Sequence, residues 1–357
     1  MTHSFSRPVP VAATLPQVLI VDDSAVARAA MSRFIMASGR FELAGAVPDA
    51  PRALSFLVDR TVDLIVLDLE MPYQSGIEAL PQLLAISRGA RVLIVSSAAA
   101  EGAEVTMRSL ALGAADTLVK PVAGSFASRF GETLLARLDL LATPPAAVES
   151  PRRIEPLAKP PVALTFDAIA IGASTGGIHA LASLLGKVPA AVTQPIFITQ
   201  HLPPAFSSYF AAQIELSARR PTALAEERGR IRPGHVAIAP GTAHLIATPL
   251  PDGNVGTRLS QAPTATGNLP SVDPMFASLA AVYGPRLLAI VLSGMGRDGL
   301  EGARAVHAAG GTVLVQDRTT SVVWGMPGVV ANAGLAHGVL PPDEIGALIA
   351  AARKASR

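Results

Sequence analysis

Short apolar runs alternate with longer stretches of helical periodicity along most of the chain. Val18–Val21 reads as a continuous apolar strand. Ser24 suits a helix N-cap, Ala25–Ser38 is helix-like, and Gly39 stops it. Phe41–Val47 is a second strand, and Pro51 fits the first turn of a helix running to Arg60. Leu64–Leu67 is a third strand ending at Asp68. It precedes a helix over Ile77–Ser87 that must place Pro81 near its start or at a kink. Val92–Val95 is a fourth strand, Glu101–Leu112 a helix stopped by Gly113, Thr117–Val119 a fifth strand, and Phe126–Leu141 a closing helix. Farther on, strands are expected at Phe166–Ile171, Ile196–Thr199, Val236–Ala239, Leu287–Leu292 and Thr312–Val315. Helices are expected at Ile178–Leu185, Phe206–Ala218, Met275–Tyr283, Leu300–Ala309 and Asp343–Arg353. Strand–helix alternation with fully apolar strands predicts parallel sheets covered on both faces.

Between the two alternating stretches, Thr143–Pro161 carries Pro144, Pro145, Pro151, Pro156, Pro160 and Pro161. No helix or central strand tolerates that density, so the segment reads as an extended, semi-rigid linker. The expected layout is a flexible N-terminus (1–16), a first domain (17–142), the linker (143–161) and a second domain (162–357). The fold class is α/β, with two doubly wound parallel-sheet domains, the second Rossmann-like and three-layered.

Composition narrows the chemistry. The 357 residues include no cysteine, which excludes disulfides, thiolate metal sites and a thiol nucleophile. The 29 basic and 27 acidic residues are too balanced for nucleic acid to be the main partner. Mean hydropathy is high, at +0.42, but Pro and Gly interrupt every long uncharged window, as at Pro189, Pro195, Pro203 and Pro204. The reading is a cytoplasmic protein without membrane insertion.

Ligands of open α/β sheets bind outside the carboxyl ends of the strands. In the first domain those ends carry Asp22 and Asp23, Asp68, Ser96, and Lys120-Pro121. Clustered carboxylates call for a hard cation such as Mg2+, and a lysine and a small hydroxyl beside them suit phosphoryl oxygens. This set resembles the receiver domain of two-component response regulators, carried by Val21–Ser24 (VDDS), Asp68–Pro72 (DLEMP), Gly76, Val95–Ser97 (VSS) and Val119–Pro121 (VKP). The resemblance implies a flavodoxin-like fold of strand order 2-1-3-4-5, with Asp68 accepting a phosphoryl group from a histidine kinase. It implies Mg2+ held by Asp22, Asp23, Asp68 and the backbone carbonyl of Glu70, with Ser96 and Lys120 as the switch pair. Thr117 departs from the family's aromatic switch residue, and Tyr73-Gln74-Ser75 from its usual loop.

In the second domain, Gly172-Ala173-Ser174-Thr175-Gly176-Gly177 follows a strand and opens a helix. It matches a Gly-rich phosphate turn, the G-x-S-x-G turn that exposes a nucleophilic serine, or a packing turn capped by Ser174. A dinucleotide site would want an acid about 20 residues on, where Gln200-His201 stands instead. His201 at the second strand's end and Asp298 in the Gly-rich loop after Leu287–Leu292 complete a candidate Ser-His-Asp set. His179 is expected to point away from the strand ends, His337 to serve packing, and Arg228, Arg230 and Arg232 to form a solvated face.

The segments Gly172–Gly177 (GASTGG), Gln200–Pro203 (QHLP), Ile238–Gly241 (IAPG), Pro270–Phe276 (PSVDPMF), Ser293–Gly299 (SGMGRDG) and Gln316–Pro327 (QD…GMP) resemble the chemotaxis protein-glutamate methylesterase family. The resemblance implies hydrolysis of glutamate γ-methyl esters on methyl-accepting chemotaxis receptors, and glutamine deamidation in many members. The esterase reaction would need no cofactor. Ser174 would be the nucleophile, His201 the base, Asp298 its orienter, Thr175 a neighbour, and the Met295 amide an oxyanion donor. A chemotaxis histidine kinase would be the phosphodonor and receptor arrays the place of work. A regulated binding module without catalysis is the alternative from another class.

Overall fold

The computed structural model describes residues 14–96, 100–121, 128–142 and 164–352. The expected linker, nearly all of the expected flexible N-terminus and the start of the helix expected from Phe126 lie outside these residues. In the N-terminal half the elements are β1 (Gln17–Val21), α1 (Ala25–Ser38), β2 (Glu42–Val47), α2 (Ala50–Asp59), β3 (Leu64–Asp68) and α3 (Gly76–Ile86). They continue with β4 (Arg91–Ser96), α4 (Ala100–Ala111), β5 (Asp116–Val119) and α5 (Ser128–Ala142). The sheet is parallel with order β2-β1-β3-β4-β5, as the receiver resemblance implied.

Local chemistry sets these boundaries. Ser24 Oγ accepts the Ala27 amide at 3.3 Å and opens α1, and Gly39 closes it at φ 63°. Asp49 caps α2 by accepting the Arg52 amide at 2.9 Å, with Pro51 in the first turn. Pro81 lies inside α3.

The C-terminal half runs β6 (Ala168–Ala173), α6 (Gly177–Leu185), β7 (Ile196–Gln200), α7 (Ser207–Ala218), β8 (Thr222–Leu224), β9 (Val236–Ile238), β10 (His244–Pro249) and β11 (Val255–Ser260). It ends with α8 (Val272–Tyr283), β12 (Leu287–Val291), α9 (Leu300–Ala308), β13 (Thr312–Gln316), α10 (Met326–Asn332), β14 (Gly338–Leu340) and α11 (Pro342–Ala351). Seven parallel strands take the order β14-β13-β12-β6-β7-β9-β8. Both central strands serve two cores. On β6, Ile169 and Ile171 face α6, α7 and α11, while Ala168 and Ala170 leave room for Met275 and Phe276 of α8. That double burial is why these strands read as unbroken apolar runs.

Five elements differ from expectation. The edge strands β8 and β14 have no fully buried residue, so no apolar run announces them. The antiparallel hairpin β10–β11 carried a readable signal, Asp252-Gly253, which turns with Gly253 at φ 80°. Helix α10 starts at Met326-Pro327 and is too short for periodicity to reveal.

The two halves touch through α4, which packs against α6 and α7. Met107, Leu110 and Ala114 share one apolar cluster with Ile178 and Leu181. The His179 Nδ1 lies 2.9 Å from the Ala111 carbonyl oxygen.

Ahead of β8, Arg220 is 6% exposed and donates to carbonyls of Val192 (2.9 Å), Pro189 (3.0 Å), Val188 (3.4 Å) and Ala218 (3.4 Å). Its charge is met entirely by backbone dipoles. Arg220→Ala should lower stability by about 3 kcal/mol, because it strands buried carbonyls. Urea unfolding of the two proteins measures the difference.

Candidate active site

Ser174 stands one residue past β6, and its backbone is held from three sides. Its amide donates to the Ser293 carbonyl (3.0 Å), and its own carbonyl accepts from the Gly177 amide (2.8 Å) and Gln200 Nε2 (2.9 Å). The fit is close: a Cβ on Gly294 would lie 2.8 Å from the Ser174 Cβ. Gly176 turns at φ 77°, and α6 begins directly after it. The side chain of Ser174 is thereby left facing a cleft of about 820 Å³.

His201 follows β7 and pairs with the end of β6 through its amide and the Ala173 carbonyl (3.1 Å). Its Nε2 lies 2.7 Å from Asp298 Oδ2, so Nδ1 is the ring nitrogen left for Ser174. Both residues line the cleft, and among the described residues no hydrogen bond reaches Ser174 Oγ. Such contacts tighten when substrate is bound.

Asp298 has no solvent exposure. Oδ2 accepts from His201 and from the Val272 amide (2.8 Å). Oδ1 accepts from Ser271 Oγ (2.7 Å) and the amides of Gly299 (3.1 Å) and Asp273 (3.3 Å). Burial alone would raise its pKa. The His201 bond, the Val272 amide and the Ser271 hydroxyl outweigh burial and hold it at about 2. The neighbouring Asp273 moves the other way, up to about 6, through burial and the Asp298 charge, although the Gly302 amide donates to it at 2.7 Å.

Thr175 and Met295 line the same cleft, as their sequence positions suggested. The Met295 loop is braced: the Gly294 amide donates to Val323, and the Gly325 and Met326 amides return to the Gly294 carbonyl. Gln316 Oε1 accepts the Ser293 amide at 2.7 Å and ties β13 to this loop. His179 corrects the sequence reading. Because α6 opens at Gly177, His179 sits in its first turn, lines the cleft and meets α4. His337 does serve packing, with Nδ1 accepting the Val313 amide at 3.1 Å.

In the N-terminal half, Asp22, Asp23 and Asp68 bring carboxylate oxygens within 4.8 Å of one another. Lys120 Nζ lies 2.9 Å from Asp22 Oδ2 and 2.6 Å from Asp68 Oδ2, and neither buried oxygen has another partner among the described residues. Burial raises Asp68 to about 6 against the pull of Lys120. Three acids to one lysine, all oxygen donors, fit a hard divalent cation. Gly76 closes the pocket floor, since a Cβ there would lie 2.0 Å from the Asp68 carbonyl oxygen. Ser96 Oγ does not face this cluster alone; it lies 2.9 Å from Thr106 Oγ1 of α4, both residues buried. The Thr117 hydroxyl is buried with no partner among the described residues.

Sequence reasoning missed Ser271, Gln200, Gln316 and Thr106. Ser271 had a signal, a polar residue just before an apolar helix. Thr106 had none, because its partner lies across the sheet edge.

The cleft also takes residues from the N-terminal half: Leu110, Ala114–Val119 and Arg137 line it opposite Ser174 and His201. Asp116 is paired with Arg137 at 2.7 Å and interacts with the Thr175 side chain.

The CheB methylesterase family model matches residues 169–349, and the response regulator receiver domain model matches residues 18–125. The chain is 41% identical over 346 residues to protein-glutamate methylesterase/protein-glutamine glutaminase 2 of Caulobacter vibrioides, covering 94% of this chain and 98% of that protein. It is 39% identical over 360 residues to protein-glutamate methylesterase/protein-glutamine glutaminase 1 of Paramagnetospirillum magneticum, covering 92% and 94%. The crystal structure of the Thermotoga maritima CheB methylesterase catalytic domain aligns with TM-score 0.50 at 35% identity, covering 52% of this chain and 97% of that one.

The depressed Asp298 pKa has a testable sign. Stability from this carboxylate is complete above its unfolded pKa near 4 and is lost as pH falls toward 2. The stability gap between wild type and Asp298→Asn should therefore shrink by about 2 kcal/mol across that window. Denaturant unfolding at stepped pH measures it.

Proposed function

The chain belongs to the CheB methylesterase family, and on that premise we propose that Ser174, His201 and Asp298 are its catalytic triad. Its activity is that of a protein-glutamate methylesterase/protein-glutamine glutaminase, regulated by phosphorylation and serving sensory adaptation in chemotaxis. The observation that carries the triad is the 2.7 Å His201–Asp298 bond facing the cleft that Ser174 also lines.

The Ser174 oxygen attacks the ester carbonyl carbon, and its proton passes to His201 Nδ1. Asp298 stabilises the imidazolium across Nε2. The carbonyl oxygen becomes an oxyanion toward the Met295 amide. Collapse breaks the C–O bond, and methanol leaves with the proton from His201. A water then attacks the acyl-serine, giving its proton to His201, and a second collapse restores Ser174 and frees the glutamate carboxylate. With a glutamine side chain the same steps release ammonia.

The receiver supplies the control. Asp22, Asp23, Asp68 and the Glu70 carbonyl would hold Mg2+, which when bound neutralises charge on the phosphoryl oxygens. An Asp68 carboxylate oxygen attacks the phosphorus of a phosphohistidine on the kinase, and the imidazole nitrogen leaves. Ser96 and Lys120 then bind phosphoryl oxygens. We infer that Ser96 Oγ turns toward the phosphoryl group and gives up its bond to Thr106. Its departure strands a buried hydroxyl in α4, at about 1–3 kcal/mol. That helix packs against α6 and α7, and residues beside it cover the cleft. We read the described arrangement as the restrained state, which the loss of the Ser96–Thr106 bond loosens.

Receptors are the substrate and a chemotaxis kinase the phosphodonor, which places the chain at receptor arrays. Among the described residues no helix is long and apolar enough to cross a membrane.

Three variants test this reading. Ser174→Ala should abolish methanol release from methylated receptor membranes; retained release would refute the nucleophile. Asp68→Ala should keep release at its unstimulated level when a phosphodonor is added. Thr106→Val should raise unstimulated release several-fold in the same assay, and an unchanged rate would refute the relay through α4.

A further inference from the structure

The cradle of Asp298 is itself held in place by a buried histidine. His244 opens β10 and is 2% exposed. Its Nδ1 accepts the Ser271 backbone N–H at 2.9 Å, so that nitrogen carries no proton. The ring proton therefore sits on Nε2, which lies 2.9 Å from the Ala262 carbonyl oxygen. One imidazole thus joins both ends of the segment 262–271.

Two functions meet in that segment. At its far end Ser271 supplies the Oγ bonded to Asp298 Oδ1 (2.7 Å), and the next amide, of Val272, supplies a bond to Oδ2 (2.8 Å). In its middle, Ala265, Thr266 and Asn268 line the cleft beside Ser174 and His201. The segment has few other anchors: Gln261 Nε2 donates to the Thr242 carbonyl at 3.1 Å, and Thr264 Oγ1 reaches Asn268 within the loop.

We propose that His244 is a positioning residue for the hydrolase reaction: its Nδ1 sets Ser271 against Asp298, and its Nε2–H sets the cleft-lining loop. The proposal rests on the triad reading above. It assigns the two ring nitrogens separate effects. The Nδ1 arm acts through Asp298 on His201 and so on kcat. The Nε2 arm acts through residues 265–268 on substrate and so on KM. Displacement of a catalytic group by about 1 Å costs on the order of 10²-fold in rate, which sets the scale for the first arm.

The amide side chains separate the arms. An Asn carbonyl oxygen stands near the position of Nδ1 and still accepts from Ser271. A Gln amide nitrogen stands near the position of Nε2 and still donates to Ala262. The experiment measures methanol release by the full chain with a small-molecule phosphodonor, over a range of methylated-receptor concentrations. His244→Asn should keep kcat within about threefold of wild type and raise KM, whereas His244→Gln should lose about 10²-fold in kcat. Ser271→Ala, which leaves the backbone N–H and its His244 bond in place, should lower kcat and leave KM unchanged.

A substrate-free readout keeps this separate from the triad reading. The low-field proton NMR signal of the His201–Asp298 bond should persist in His244→Asn and shift or broaden in His244→Gln. Equal kcat in the Asn and Gln variants, or kcat losses that simply follow their melting temperatures, would overturn the proposal. If neither His244 variant folds, Ser271→Ala decides: a wild-type kcat with an unmoved His201 signal overturns it as well. Absence of methanol release from wild type itself, with the His201 signal responding as expected, would instead indict the substrate assignment.

Discussion

Asp298 is a carboxylate wholly removed from water, and an uncompensated charge in that position would unfold the domain or simply take up a proton. Five donors prevent both outcomes. They come from three places: His201 at the end of β7, the Ser271–Asp273 entry to α8, and the loop that carries Asp298 itself. Satisfying this one charge therefore fixes the mutual position of two strand ends and a helix N-terminus. That Nδ1 is the nitrogen His201, the proposed base, has left for Ser174 is a consequence of that fixing, since Nε2 is already committed to the acid.

The same economy of backbone and side-chain hydrogen bonding holds Ser174, the proposed nucleophile. Ser174 cannot move along the sheet because its amide and carbonyl are both spoken for, and it cannot move sideways because Gly294 leaves no room for a larger residue. Asp273 and Asp298, one titrating near 6 and the other near 2, illustrate how neighbouring acids in one buried cluster divide their roles. Burial and the Asp298 charge raise Asp273, and the better hydrogen-bonded group stays ionised.

The regulatory half obeys the opposite rule. Among the described residues the Asp22 and Asp68 Oδ2 atoms meet Lys120 and accept no other hydrogen bond, so these acids keep acceptor capacity that suits a cation. The unpartnered Thr117 hydroxyl, where the family usually has an aromatic ring, lies at the edge of the shared cleft. With no ring to rotate there, the Ser96–Thr106 bond links the end of β4 to α4.

The amino-acid order determined the local features on its own. Apolar runs buried on both faces declared the central strands, Ser24 and Asp49 capped their helices, and strand-end residues named both sites, because strand ends converge in any open parallel sheet. Edge strands β8 and β14 escaped because a half-exposed three-residue strand has no distinctive pattern. Tertiary structure alone decided which ring nitrogen of His201 meets Asp298, that Ser271 and His244 stand behind that acid, that Ser96 is bonded to Thr106, and that the exposed His179 meets the Ala111 carbonyl of α4. All but the Ser96–Thr106 pair are contacts across elements far apart in the chain. Period and propensity report only which face a residue occupies, and the packing of helices on sheets chooses what lies opposite.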